Sequence, residues 1–356
     1  MREVYHMDVI FNMYKIKYTD MTKLLTGYPN GSIQIFINLE PVLRRLYRSD
    51  IESYLKANRQ LRTHEFVSNI LNLAAHYRKY FSSQGRDTEV IMYMPDWKNS
   101  YTNSLLIKGY RDNTDLMLFN DTTVYSKFLK ESVDLLDTIV MYIEGVYLIR
   151  TSTIEPSLIP LVMKNHYRNQ LLITTDRYEY QYVNKDYTIL RPRKGSQSYV
   201  ITQHNVIEVM KEEDKILSSE TMSPGFIPFA LSFMGDTVRG IPKVKGVGLF
   251  RIMKLLEKAI EEGIITENTT NLSLLENVVI DDVKEQVINN FTCIDLNLQS
   301  NTIGKSVLFQ LEEQKQDKFD NVSLKKLNQM FLGSPIMLNE LMPAKERLSV
   351  FQVTKK

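Results

Sequence analysis

Residues 235–256 read GDTVRGIPKVKGVGLFRIMKLL. Within them Ile241-Pro-Lys-Val-Lys-Gly-Val-Gly248 follows the pattern of a helix–hairpin–helix. Ile241 and Val244 are spaced to pack a first helix. Gly246 and Gly248 permit a tight turn and a close backbone approach. A second helix begins near Leu249, and its first N–H groups have no intrahelical partner and point outward. Such a turn can hold a phosphate of a nucleic acid without reading sequence. Lys243, Lys245 and Arg251 add cations around it. A lone Gly-x-Gly is a weak signal; Gly-Asp ahead of the segment and Ile-Pro inside it make the pattern more specific.

Upstream, the chain alternates between two periodicities. Residues 32–38 (SIQIFIN) and 89–94 (EVIMYM) are short apolar runs and read as buried strands. Residues 170–174 (QLLIT) read as a third and 187–191 as a short later one. Residues 50–81 carry apolar side chains at helical spacing, residues 124–143 do likewise, and a helix is expected from Glu155 to about Asn165. Strands alternating with helices imply an α/β fold with a mostly parallel sheet. Residues 225–265 turn helical, 288–298 are expected to be extended, and 323–331 helical. The charge-rich run 312–320 (EEQKQDKFD) is a candidate linker, and 330–341 an apolar run able to dock on a partner or on the core.

The 356 residues carry a net charge of +2, so a nucleic-acid binder of this balance must concentrate its cations locally. No run of eighteen apolar residues occurs, and residues 1–18 lack the basic-then-apolar pattern of a signal peptide, so a soluble, cytoplasmic protein is expected. The single cysteine, Cys293, excludes an internal disulfide and a Cys-rich zinc site, and reads as a small buried apolar side chain. The five histidines show no metal-ligand spacing. Richness in Asn, Ile, Lys and Tyr fits an AT-rich genome, phage included, and a phage-encoded chain is expected in the host cytoplasm or the virion.

Residues 235–256 resemble the helix–three-turn–helix signature of the 5′-nuclease family, the flap endonucleases and phage 5′–3′ exonucleases. Other segments fall into that family's order: DWKNSYTNSLLIKGYR at 96–111, IEPSL at 154–158, LITTDRYEYQ at 172–181, and FTCIDL at 291–296, expected as a strand. The resemblance covers about residues 32–300. It implies a PIN-like domain: a mostly parallel central sheet flanked by helices, with a helix–hairpin–helix region at its side. The implied organisation is an N-terminal extension (1–30), the nuclease-type domain (31–222), the DNA-binding region (223–300) and a C-terminal extension (301–356) that offers a protein-partner surface.

Family members hydrolyse phosphodiesters with two divalent metals held by seven or eight carboxylates, because clustered anionic oxygens must offset the repulsion between the dications. Here Asp96, Glu155, Asp176 and Asp236 remain at matching positions, whereas Asn38, Ser157, Leu158, Tyr178 and Arg239 stand where acids belong. The retained four imply at most one Mg²⁺ or Mn²⁺, with Glu179 and Asp186 as substitute ligands. Each also has a plain structural role open to it: Asp176 capping a turn, Asp236 as an N-cap, Glu155 at a helix start. Lys108 and Arg111 match basic residues that grip the scissile phosphate or single strand, and double equally well as solvated loop cations. Tyr101, Tyr110 and Trp97 are placed to stack on bases or to fill core, and Arg191, Arg193 and Lys194 to contact phosphate. Two readings stay open: a degenerate nuclease fold that binds branched or single-stranded DNA or serves in an assembly, and a working enzyme with a reduced metal site.

Overall fold

The structure is a computed structural model that describes residues 31–43, 63–82, 85–96, 102–112, 124–141, 143, 145–152, 154–164, 168–192, 198–214, 224–263 and 281–299. Its centre is a six-stranded sheet in the order β3-β2-β1-β4-β5-β6. Strands β1 (Ser32–Asn38), β2 (Thr88–Pro95), β3 (Val146–Thr151), β4 (Arg168–Ile173) and β5 (Tyr187–Arg191) are parallel. The short β6 (Tyr199–Ile201) closes one edge antiparallel to β5.

The strands read as continuous apolar runs because both faces of the sheet are covered. Ile33, Ile35 and Ile37 of β1 join Val90, Met92 and Met94 of β2 in one core with helices α1 (Thr63–Ser82) and α2 (Val124–Val140). Phe36, Ile91 and Tyr93 point the other way, into a second core. That core is built from a 3₁₀ turn at Arg177–Tyr182, a short α3 (Ile159–Val162) and α4 (Val206–Val209). It continues through α5 (Ile227–Met234), α6 (Leu249–Glu261) and α7 (Asp281–Ile294), with α5 packed on both α6 and α7. Burying each large apolar side chain there stabilises by about 1.5–3 kcal/mol.

Four expectations are corrected. First, β3 (VYLIRT) was not foreseen; it follows α2 after only a short turn at Gly145, and its apolar residues extend the helical run before it. Second, residues 288–298 are not extended, and 291–296 form no strand. Helix α7 runs through Ile294, burying Val287, Phe291 and Ile294 at spacings of four and three. Asn290 fixes this helix to its neighbours by donating to the Ser232 and Pro242 carbonyls, at 2.8 Å each. Third, the helix expected from Glu155 to Asn165 is a 3₁₀ turn (Pro156–Leu158) leading into the four residues of α3. Proline at 156 and 160 removes two backbone donors from that stretch. Fourth, Ile241 and Val244 are buried but lie on a loop, not a helix. The helix that precedes this loop is α5. It ends at Gly235 (φ 67°), where a Cβ would meet Ile241 O and Lys243 N at 2.6 Å each.

Residues 1–30 and 301–356, the candidate linker and the 323–331 helix lie outside the described residues, as does the 50–62 half of the first expected helical stretch. No described helix is long and apolar enough to cross a membrane.

Candidate functional site

Parallel strands deliver their carboxyl ends to one edge, the usual place for a site in such sheets. Asn38 ends β1, Glu155 follows β3, and Asp176 follows β4. Asp176 caps the 3₁₀ turn after it, accepting from the Tyr178 N–H at 3.0 Å. Asp236 follows α5 and accepts from the Val238 N–H at 2.9 Å; it caps a turn, not a helix. An isolated bridge pairs it with Ile241. Glu155 makes no side-chain capping bond at its turn.

Arg239 enters the middle of these acids, 5% exposed. Its Nε lies 3.1 Å from Glu155 Oε1, and its Nη1 3.3 Å from Asp236 Oδ2 and 3.4 Å from Asp176 Oδ1. Nη2 donates to Asp176 Oδ2 and, at 3.3 Å, to Ser157 Oγ. The Ser157 hydroxyl donates in turn to Asp176 Oδ2 at 3.0 Å. The face of the guanidinium is covered by the Tyr178 ring. Arg239 is thus the hub: its guanidinium contacts Ser157, the Tyr178 ring, Glu155, Asp176 and Asp236. Leu158 joins the second core.

Arg111 is fully buried, which corrects its reading as a phosphate-gripping or solvated cation. Its Nη1 lies 2.6 Å from Glu155 Oε1 and its Nη2 2.5 Å from Glu40 Oε1. Tyr110, expected to stack or fill core, is buried and donates its hydroxyl to Glu155 Oε2 at 2.6 Å. The Arg111 N–H donates to the Arg239 carbonyl at 2.9 Å, so the two cation-bearing segments are tied through their backbones. Arg111 holds this place at φ 62°, a left-handed conformation that costs a non-glycine residue about 1–2 kcal/mol.

The electrostatics follow from this packing. Burial works to raise the Asp176 pKa, but the Arg239 charge and hydrogen bonds from Arg239, Tyr178 N–H and Ser157 outweigh it and hold the carboxyl below its usual range. Burial likewise works against the Arg239 charge, and Asp176, Glu155, Tyr178 and Asp236 more than restore it. Glu179 is different. Burial first, then the Asp176 charge, push it up to about 8. It accepts from Asn38 Nδ2 at 3.1 Å and from the Tyr93 hydroxyl at 2.7 Å, and sits at neutral pH as a carboxylic acid, a poor metal ligand.

The arrangement does not fit a divalent metal centre. Arg111, Arg177 and Arg239 face Glu40, Glu155, Asp176 and Asp236, so three fixed cations meet four carboxylates and little negative charge remains for a dication. Among the described residues no group of three His, Cys, Asp or Glu side chains is placed to share an ion. An open cavity of about 380 Å³ lies over the cluster, lined by Asn38, Glu40, Asp176, Arg177, Asp236 and Arg239.

The other expected residues stand apart. Asp96 pairs with Arg150 at 3.3 Å and does not line that cavity. Asp186 pairs with Lys164 at 3.5 Å. Lys108 is exposed, beside a second cavity of about 420 Å³ between Leu106, Pro242 and Gln286. Lys243, Lys245, Gly246, Gly248 and Arg251 are all exposed on the loop and first turn of α6. Gly248 O accepts from the Arg251 and Ile252 N–H groups, at 3.0 and 3.1 Å, which marks it as the residue preceding the helix. Arg191 is committed to Tyr180, donating to its hydroxyl. Trp97, Tyr101, Arg193 and Lys194 lie outside the described residues. Glu40 was not anticipated; the only local signal is an acid two residues beyond the first strand.

A mostly parallel α/β sheet with a buried arginine–carboxylate cluster at its carboxyl edge is the class of molecule these observations define. No family model matches the sequence, and no curated protein matches it. Among solved structures the chain is similar to phage T5 5′-exonuclease with bound zinc, at 12% identity over 82% of this chain and 99% of that one, TM-score 0.49. It is similar to the bacteriophage T5 flap endonuclease pseudo-enzyme–product complex with DNA and metal ions, at 15% identity over 81% and 99%, TM-score 0.49. It is also similar to the catalytic core of Rad2 in complex with DNA substrate, at 14% identity over 79% and 85%, TM-score 0.36.

Proposed function

We propose that this chain is a catalytically silent member of the 5′-nuclease class that binds DNA through its phosphates. The observation that carries this reading is Arg239, whose guanidinium bonds to Glu155, Asp176 and Asp236 together. Two-metal hydrolysis uses such carboxylates to hold cations that polarise phosphate and generate hydroxide. A guanidinium neutralises the same carboxylates but has no open coordination position and does not release its proton. Mg²⁺ or Mn²⁺ would have to displace Arg239 to reach them.

Retained DNA binding is supported by the exposed loop around Lys243, Lys245 and Gly246. The first N–H groups of α6, together with Arg251, suit phosphate oxygens and no particular base. Lys108 is the remaining exposed cation of the 102–111 segment that matches the phosphate-gripping residues. The proposed division is a nuclease-type unit at 31–222, a DNA-binding unit at 223–300 and a partner-binding extension beyond 300.

The test is a 5′-labelled flap substrate with Mg²⁺ and with Mn²⁺, read for both cleavage and binding. The expected result is salt-sensitive binding without cleavage in either metal. Cleavage that disappears in an Asp96→Ala, Asp176→Ala double variant would overturn the proposal in favour of an active enzyme with a reduced metal site.

A further inference from the structure

Phe250 is 74% exposed, on the first turn of α6 and inside the proposed phosphate-binding surface. A large apolar side chain in water is unfavourable, and its neighbours on this helix, Ile252 and Ala259, are buried. The ring is not merely left over at a helix end. Lys254 holds its ammonium 4.7 Å from the ring centroid, and Arg251 lies beside it, exposed. No acidic residue occurs from Thr237 to Leu256, a run that also holds the exposed Lys243 and Lys245. An exposed aromatic ring among cations, with the first acid of the helix two turns away at Glu257, is the chemistry that receives an unpaired nucleobase while its phosphates are neutralised. A duplex offers only its backbone to such a turn, since its bases are stacked and paired.

We propose that Phe250 is a base-stacking platform and that the ligand of this surface is single-stranded nucleic acid, or the unpaired end of a branched one. The inference rests on the phosphate-binding reading above and adds the base to it. Lys243, Lys245 and the α6 N-terminus hold the backbone, and Phe250 takes the face of one base. Lys254 stands over the same ring and moves aside to a phosphate when a base arrives.

The test compares a thymidine oligonucleotide of about 12 residues with an abasic oligomer of the same length, which keeps the phosphates and lacks the bases. Fluorescence anisotropy is measured for the full chain, Phe250→Ala, Phe250→Tyr and Lys245→Ala. The full chain is expected to prefer the base-bearing oligomer by roughly 5- to 140-fold, the worth of one stacked base. Phe250→Ala abolishes that preference and leaves abasic binding unchanged, and Phe250→Tyr keeps the preference. A Phe250→Ala variant with the full preference overturns the platform, including the case in which Phe250 serves a protein partner instead. Lys245→Ala weakens both oligomers alike if the phosphate reading holds. Affinity that is unaltered by Lys245→Ala and insensitive to salt overturns that reading separately.

Discussion

The guanidinium carbon of Arg239 lies 3.9 Å from the centroid of the Tyr178 ring. The sequence resemblance to the 5′-nucleases leads one to expect acids at both positions, and here the two side chains stack as one unit. The ring covers the face of the cation, worth about 0.5–2 kcal/mol, and the cation's edges go to Glu155, Asp176 and Asp236. Removing Arg239 leaves Asp176 buried without a cation, and leaves Glu155 and Asp236 to Arg111 and Arg177 alone. Arg239→Met is therefore expected to destabilise by about 3–5 kcal/mol, measured by urea unfolding. A loss under about 1 kcal/mol, within the range of exposed pairs, would mean that the acids have other compensation.

Tyr178 contributes its ring and not its hydroxyl. That hydroxyl is buried without a hydrogen-bond partner among the described residues. Tyr178→Phe is expected to change stability by less than about 1 kcal/mol, or to raise it, because an unsatisfied polar group is removed. Tyr178→Ala removes the ring as well and is expected to cost about 3–5 kcal/mol. Unfolding midpoints of the two variants check this, and a Phe variant as damaged as the Ala variant contradicts it.

Glu179 gives the fold a pH dependence of definite sign. Its carboxyl titrates near 4.5 in an unfolded chain and at about 8 in the folded one, so the folded state binds the extra proton. The stability this contributes is fully present below about pH 4.5 and is lost as pH rises to about 8, at up to about 1.4 kcal/mol per unit. Asp176, held low, acts oppositely: its contribution is present above the normal carboxylate range and is lost as pH falls below it. Glu179→Gln is expected to flatten the decline between pH 5 and 8 in denaturant unfolding. An unchanged slope would place the proton elsewhere.

Gly235 and Gly246, at the two ends of the loop before α6, differ in what a side chain would meet. At Gly235 (φ 67°) a Cβ collides with backbone atoms at 2.6 Å, whereas at Gly246 (φ 75°) it enters open space. Gly246→Ala is expected to cost only the left-handed strain, about 1–2 kcal/mol, and Gly235→Ala distinctly more. Thermal unfolding of both variants checks the order, and equal losses would contradict the close approach of Gly235 to the 241–243 backbone.

Much of the sheet was legible because buried parallel strands announce themselves as unbroken apolar runs. Residues 32–38 and 187–191 match β1 and β5 end for end. The sequence order that set Asn38, Glu155, Asp176 and Asp236 beside the family pattern corresponds to one sheet edge in space. The partners of Arg239 and Arg111 were not legible, since Glu40 and Glu155 lie 71 and 44 residues from Arg111 and no local periodicity links them. At 288–298 an extended segment was expected, with the strand at 291–296 taken from the family resemblance. The burial of Val287, Phe291 and Ile294 on one helical stripe decided otherwise, tertiary packing overriding local preference. Asp96 directly follows β2 at the same carboxyl edge, but its carboxylate pairs with Arg150 and not with the Arg239 cluster.

If Arg239 occupies the place of a metal, thermal unfolding of the unaltered chain in chelator and in millimolar Mn²⁺ shows it. A ligand that binds only the folded state at 100 times its Kd stabilises by about 2.7 kcal/mol, enough to raise Tm by several degrees. The same Tm is expected in both solutions, because the carboxylates already hold the Arg239 cation. A rise of several degrees in Mn²⁺ that Asp176→Asn abolishes would contradict it.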